Sequence, residues 1–368
     1  MLNFTSALYL GLRHPTWSLR PWSRLTMGAP AALDEMPDAR RVAQEIAALQ
    51  GCERGTLGTS TLHLFWDLFG SLAGRQVVIY MDDGVYPIVR WGVERAAACG
   101  VAVRTFSHHD PDALSRLLRQ PSARGLRPVV VTDGFCPGCG EAAPLAAYRD
   151  HLRPFGGRLI LDDTQALGIF GQSPCEQLPY GKGGGGMLVA GKISGTDVLA
   201  VSSLAKAFGV PAAVLVGSNS AVEEFERNSQ TRVHCSPPST VVVYAAQHAL
   251  AVNRERGDLL RLRLARLVSR FRQRMAEAAF RFTKGLFPVQ TLVPSAGLDV
   301  AQMYQRLLER GVRTVLHRAR NGHGARISFL ITARHTPEAI DRAAAAISEG
   351  RNTRNYSRGE WHEGIAWN

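Results

Sequence analysis

Between residues 77 and 163 one pattern recurs: a short apolar run, a polar loop, then a helical stretch. VVIY (77–80) leads through DDGVYP into IVRWGVERAAACG, VAVRTF (101–106) into DPDALSRLLRQ, and RPVVVTDG (127–134) into PLAAYRDHLRPFG, before RLILDD (158–163) opens a fourth round. Strands that alternate with helices in this way predict an α/β fold with a large, doubly wound, mainly parallel sheet. Ligands of such sheets gather at the carboxyl ends of the strands, so the residues just after each run are the ones to weigh.

The next apolar run, LAVSSLAKAFG (199–209), delivers a single lysine, Lys206, among small residues. A strand that carries a reactive amine into a cleft reads like this. Lysine is scarce: of 43 basic residues four are lysines, Lys182, Lys192, Lys206 and Lys284. Arginine stays protonated and forms no Schiff base, so any imine chemistry rests on one of these four.

Beyond strand-like AAVLVGS (212–218) the pattern changes to a long charged helical region and then to a smaller α+β unit. The expected division is an N-terminal arm over 1–50, a large domain over 51–225, a small C-terminal domain over 226–350 and a polar tail over 351–368. A length of 368 residues with 45% apolar content supports one large and one smaller core. No apolar run is long enough to cross a bilayer, and MLNFTSALYLGLRHP lacks the plan of a signal peptide, so a cytoplasmic protein without membrane attachment is expected. The six cysteines are scattered, which argues against a disulfide framework. A net charge of +12 attracts anions, but the arginines are spread along the chain instead of forming a basic stripe with interleaved aromatics. Nucleic acid is therefore not an expected partner.

Three loop sites at strand ends suit one cofactor, pyridoxal 5'-phosphate (PLP): Thr59-Ser60-Thr61 at a helix start, Asp162 after RLIL, and Lys206. Hydroxyls and N–H groups at a helix N-terminus hold a phosphate dianion. A carboxylate keeps the pyridine nitrogen protonated and the ring an electron sink. A lysine anchors the aldehyde and, once released, moves a proton. Asp163 is an alternative acid beside Asp162, and the plain reading of Tyr86 is core packing.

At these residues the chain resembles the fold-type I PLP enzymes, most closely the α-oxoamine synthases. The resemblance runs from about YLGL (9–12) to about residue 348 and is strongest in VVVTDG, LILDDTQALGIFG and SSLAKAFGVPAAVLVGS. It implies Lys206 as the Schiff-base lysine, Asp162 as the pyridinium partner, Ser203 as a phosphate ligand, Tyr86 where the family stacks an aromatic, usually His, and Thr59 to Thr61 as the phosphate-binding helix start. It also implies a homodimer that condenses an amino-acid substrate with an acyl thioester, either acyl-CoA or an acyl carrier protein, with loss of carbon dioxide. An aminotransferase, decarboxylase or aldolase-like lyase is the alternative reaction, and a non-catalytic scaffold a third reading. The departures from the family fall on the substrate side. Gln165 replaces the His of an Asp-x-x-His pairing, and an amide relays no proton at neutral pH. FCPGCGE replaces a Ser-containing loop, His234 stands near an expected threonine of the neighbouring subunit, and the substrate-carboxylate arginine falls near His317-Arg318.

Three further motifs read blandly. Cys136 and Cys139 have dithiol or half-zinc spacing, but no second pair accompanies them, so no metal is expected. YGKGGGGMLVAGKIS imitates a phosphate loop but puts Ile193 where Ser or Thr is required, and reads as a flexible loop. His108-His109 reads as a solvated turn.

Overall fold

The computed structural model describes residues 1–120, 125–295, 298–318 and 324–349. The first half of the chain forms β1 (Leu2–Asn3), α1 (Pro37–Leu49), β2 (Arg54–Gly58), α2 (Thr61–Gly70), β3 (Val77–Asp82), α3 (Pro87–Ala98), β4 (Ala102–Phe106), α4 (Pro111–Leu118), β5 (Arg127–Asp133), β6 (Phe135–Cys136), β7 (Glu141–Ala142), α5 (Leu145–Leu152) and β8 (Arg158–Asp162). The second half adds α6 (Gly186–Ala190), β9 (Val198–Ser203), β10 (Ala213–Gly217), α7 (Asn219–Asn228), α8 (Gln230–His234), α9 (Thr240–Glu277), β11 (Val289–Thr291), α10 (Val300–Glu309), β12 (Val312–Arg313), β13 (Val315–Arg318), β14 (Ala325–Leu330) and α11 (Pro337–Glu349).

The chain divides into two compact units. One holds Leu12–Cys136 and Ala142–Asp258, the other Met1–Gly11, Pro137–Glu141 and the chain from Leu259 on. This boundary falls inside the 38-residue α9 rather than near 225, and the first residues join the second unit, where β1 pairs in parallel with β12. A helix that long shows no break in sequence, so no composition change marks the division. The tail over 351–368 lies outside the described residues.

The larger unit is built on a seven-stranded sheet in the order β2-β10-β9-β8-β5-β3-β4. β9, β8, β5, β3 and β4 run parallel, and β10 lies antiparallel between β9 and β2. The parallel strands are apolar almost throughout because both faces are covered, as in β3 and β5, where every residue after the first is buried. Val129, Val131, Ile160 and Leu199 pack under Phe65, Phe69, Val89 and Phe225 of α2, α3 and α7. β2, with the sequence RGTLG, has neither alternation nor a branched run and was not legible as a strand; its place at the sheet edge comes from pairing with β10. The smaller unit carries the antiparallel sheet β11-β14-β13. Among the described residues no helix is long and apolar enough to cross a membrane, and none of the six cysteines is in a disulfide.

Candidate active site

Register sets the floor of the site. Asp133 ends β5 directly opposite Asp162 at the end of β8, and Asp162 in turn pairs with Val201 of β9, two residues before Ser203. The carboxyl ends of these three strands thus bring two carboxylates beside the turn that carries Lys206. Lys206 is half-buried, whereas Lys182, Lys192 and Lys284 are exposed. Burial pulls its pKa below the usual lysine value, and the charges of Asp162 and Asp133 work against that pull. Its Nζ lies 5.8 Å from the centre of the Tyr86 ring. Tyr86 is 51% exposed, which sets aside the core-packing alternative. Its backbone N–H, at the start of α3, donates to Asp133 Oδ1 at 3.2 Å.

The two adjacent acids face different surroundings. Asp162 is buried, and desolvation raises its pKa against the opposing effects of hydrogen bonds from Thr164 and the nearby Lys206 charge. Asp163 is fully buried and accepts the Met187 N–H through both oxygens, at 3.2 and 2.9 Å; burial first, and the Asp162 charge after it, keep its pKa well above the carboxylate range. Thr164 stitches the strand ends together: its N–H donates to Asp162 Oδ1 at 2.9 Å, and its Oγ1 accepts the Ser203 N–H at 3.0 Å. Ser203 Oγ accepts the Ala205 N–H at 3.2 Å. Gln165 follows in the same turn, half-buried.

Ser60 caps α2, and Thr59, Ser60 and Thr61 are all half-buried at that helix start. The N–H groups of a helix N-terminus that its cap leaves unpaired, together with three hydroxyls, suit a dianion. This donor set, a desolvated amine and a buried carboxylate together fit PLP group for group: phosphate, aldehyde and pyridine nitrogen. His234 ends α8 and is exposed. His317 and Arg318 belong to β13 of the other unit, where His317 Nε2 meets Ser328 Oγ at 2.8 Å.

Two expectations are corrected. His108 is not a solvated turn residue: its Nδ1 bonds the fully buried Asp82 at 2.7 Å, and its ring also hydrogen-bonds Cys136. Sequence spacing hides this His–Cys pair, because strand order brings together residues far apart in the chain. The glycine-rich segment is also pinned rather than loose. Gly183 is held by Asp258 and Asn253, each at 2.9 Å, Gly184 O accepts from Gly168 at 2.7 Å, and Gly186 N–H donates to Phe170 O at 2.8 Å. Asp133, Thr164 and His63 were not singled out from sequence. Asp133 carried a signal, as the first acid after VVVT, whereas Thr164 and His63 act through contacts no motif encodes.

A model of the class I and II aminotransferases matches residues 57–347. The chain is 30% identical over 362 residues to the 8-amino-7-oxononanoate synthase of Sodalis glossinidius (strain morsitans), covering 95% of this chain and 88% of the relative. It is 27% identical to the enzyme of the same name from Pseudescherichia vulneris, covering 94% and 88%. Among solved structures it is similar in fold to a serine palmitoyltransferase from S. paucimobilis with bound PLP, at a TM-score of 0.81 and 18% identity over 95% of this chain and 87% of that one. The 8-amino-7-oxononanoate synthase of Francisella tularensis superposes at 0.73, with 18% identity over 95% and 98%.

Proposed function

The chain belongs to the class I and II aminotransferase family, among the α-oxoamine synthases, and from that premise we propose that it is a PLP-dependent transferase joining an amino acid to an acyl thioester. The balanced reaction takes amino acid, acyl thioester and one proton to an α-amino ketone, carbon dioxide and a free thiol. The observation that carries the reading is the meeting of Lys206, Asp162 and Tyr86 at the sheet's carboxyl edge. PLP, when bound, supplies the electron sink that stabilises negative charge at the amino acid's α-carbon.

The chain's residues do the rest. Lys206 anchors the cofactor and then moves the α-proton, a task its lowered pKa favours, since an amine less basic than usual gives up its proton more readily near neutrality. Asp162 holds the pyridine N–H; desolvation makes that charged hydrogen bond strong. Asp163, spent on Met187, stays structural. Tyr86 stacks, Gln165 hydrogen-bonds the phenolic oxygen without relaying a proton, and Thr59, Ser60, Thr61 and Ser203 cradle the phosphate.

The assembly is a homodimer, with His234 reaching the neighbouring subunit's phosphate. Exposed Leu62 and Trp66 on α2 and Trp91 on α3 are apolar surface that a second copy can cover. The protein works in the cytoplasm, and its net charge of +12 draws anionic CoA thioesters or an acidic carrier protein.

The test is direct. PLP-loaded protein is reduced with borohydride and digested, and the label is expected on Lys206. Amino acids and acyl-CoAs are then offered in pairs, with thiol and carbon dioxide followed together. Equal release of both supports acyl transfer; consumption of amino acid without thiol release overturns it in favour of an aminotransferase, decarboxylase or lyase.

A further inference from the structure

Three side chains at the start of α2 share a small number of hydrogens. Ser60 Oγ accepts the His63 backbone N–H at 3.4 Å, and His63 Nδ1 lies 2.8 Å from that same Oγ and 3.2 Å from Thr59 Oγ1. His63 occupies the third position after the cap, where a capping box places Glu or Gln. A carboxylate there would repel a phosphate. An imidazole folds back in the same way without adding negative charge.

Toward the two hydroxyls Nδ1 has two states. As an acceptor it draws a Ser60 or Thr59 hydrogen toward the ring. As a donor it gives its own hydrogen to a hydroxyl oxygen, and both O–H groups are then free to turn elsewhere. A phosphate dianion only accepts, so a cradle that uses both hydroxyls on the phosphate requires the donor state.

Building on the reading of Thr59 to Thr61 as the phosphate cradle, we infer that His63 is a positioning residue for that cradle. Its Nδ1–H binds the hydroxyl oxygens from the helix side and so aims the Ser60 and Thr59 hydrogens at the cofactor phosphate. His63 touches no reacting atom.

The experiment titrates the apoprotein with PLP and with pyridoxal, which has the aldehyde and ring but no phosphate. Loss of one charge-assisted hydrogen bond corresponds to roughly tenfold weaker binding. His63→Ala is therefore expected to lose about that factor for PLP and nothing for pyridoxal. His63→Asn, whose amide N–H reaches the same oxygens, is expected to restore it. Nitrogen-15 NMR of the wild-type imidazole is expected to show Nδ1 protonated in the PLP complex, a readout that needs no variant. Equal losses for PLP and pyridoxal in His63→Ala, or an unprotonated Nδ1 in the complex, overturn the inference. The Thr59→Val/Ser60→Ala double variant separates the two levels of the argument. If it loses the preference for PLP over pyridoxal while His63→Ala keeps it, the role of His63 alone fails; if the double variant keeps that preference, the cradle itself is misplaced.

Discussion

Lys206 Nζ stands 5.8 Å from the centre of the Tyr86 ring, with the ring half open to solvent at the start of α3. A flat face held this close to the amine would suit a planar cofactor on one side. Removing the ring in Tyr86→Ala is expected to cost about 1 kcal/mol of cofactor binding, roughly a fivefold rise in the PLP dissociation constant. Tyr86→Phe is expected to bind like the wild type, because stacking would use the ring face and not the hydroxyl. Absorbance titration of the apoprotein checks both.

The Lys206 amine is expected to titrate below an ordinary lysine, since burial disfavours its charged form. Asp162 and Asp133 act in the opposite direction, so Asp162→Asn removes a stabilising negative charge and is expected to lower the pKa further. Labelling of the apoprotein with an amine reagent across pH, read at Lys206 by mass spectrometry, gives the midpoint. A midpoint in Asp162→Asn equal to or above the wild-type value would contradict the placement of the two groups.

Thr164 accepts the Ser203 N–H through its side chain and donates to Asp162 through its backbone. Thr164→Val keeps the shape and removes the acceptor, which leaves a half-buried N–H unpaired. The expected loss is about 1–3 kcal/mol in urea unfolding, with Thr164→Ser near wild type. A second expected effect is weaker cofactor binding in the valine variant, because the Lys206 turn loses its tie to β8.

The contrast between Lys206 and Thr164 explains how much could be read in the sequence. Lys206 follows an apolar run in a chain with few lysines, and strand-end logic finds it without coordinates. The same logic found β3, β5, β8 and Asp162, because parallel strands buried on both faces write continuous apolar runs. Thr164, Asp133 and the Asp82–His108 bond depend on which strand lies beside which, and the order β8-β5-β3-β4 is not a local property. β2 escaped for a related reason: glycines at Gly55 and Gly58 are needed for close approach to Ala43 and Leu64, so the strand lacks the residues that advertise one.

Gly186 shows the same close approach at the other acid. Its φ is +80°, and a Cβ there would fall 1.9 Å from Asp163 Oδ2. Gly186→Ala therefore combines a left-handed backbone with displacement of a buried carboxyl from the Met187 N–H, and is expected to destabilise by more than about 2 kcal/mol. Thermal melting checks it, with Gly183→Ala as the comparison, since a Cβ at Gly183 meets nothing within 4 Å although its φ is also positive, +82°. The difference between the two variants isolates the clash from the backbone strain.

The bond between His108 and Asp82 gives the fold a stability that is lost as the pH turns alkaline. Burial disfavours the imidazolium, but hydrogen bonds to Asp82 and Cys136 override that and raise the His108 pKa from 6.5 to about 9. A group whose pKa rises on folding contributes fully below its unfolded value and loses that contribution as pH climbs through the folded one. The contribution is thus present below about pH 6.5 and fades toward pH 9 and above, and a shift of this size corresponds to about 3 kcal/mol at most. Asp82 behaves in the opposite sense: burial pushes it up, but the bonds from His108, Gly84 and His109 hold it below its usual value, so its share is lost only in acid. Urea unfolding of the wild type and His108→Gln at pH 6, 8 and 10 checks the linkage. The gap between the two is expected to be largest at pH 6 and nearly closed at pH 10; a gap that does not change with pH would mean the bond is made by a neutral imidazole.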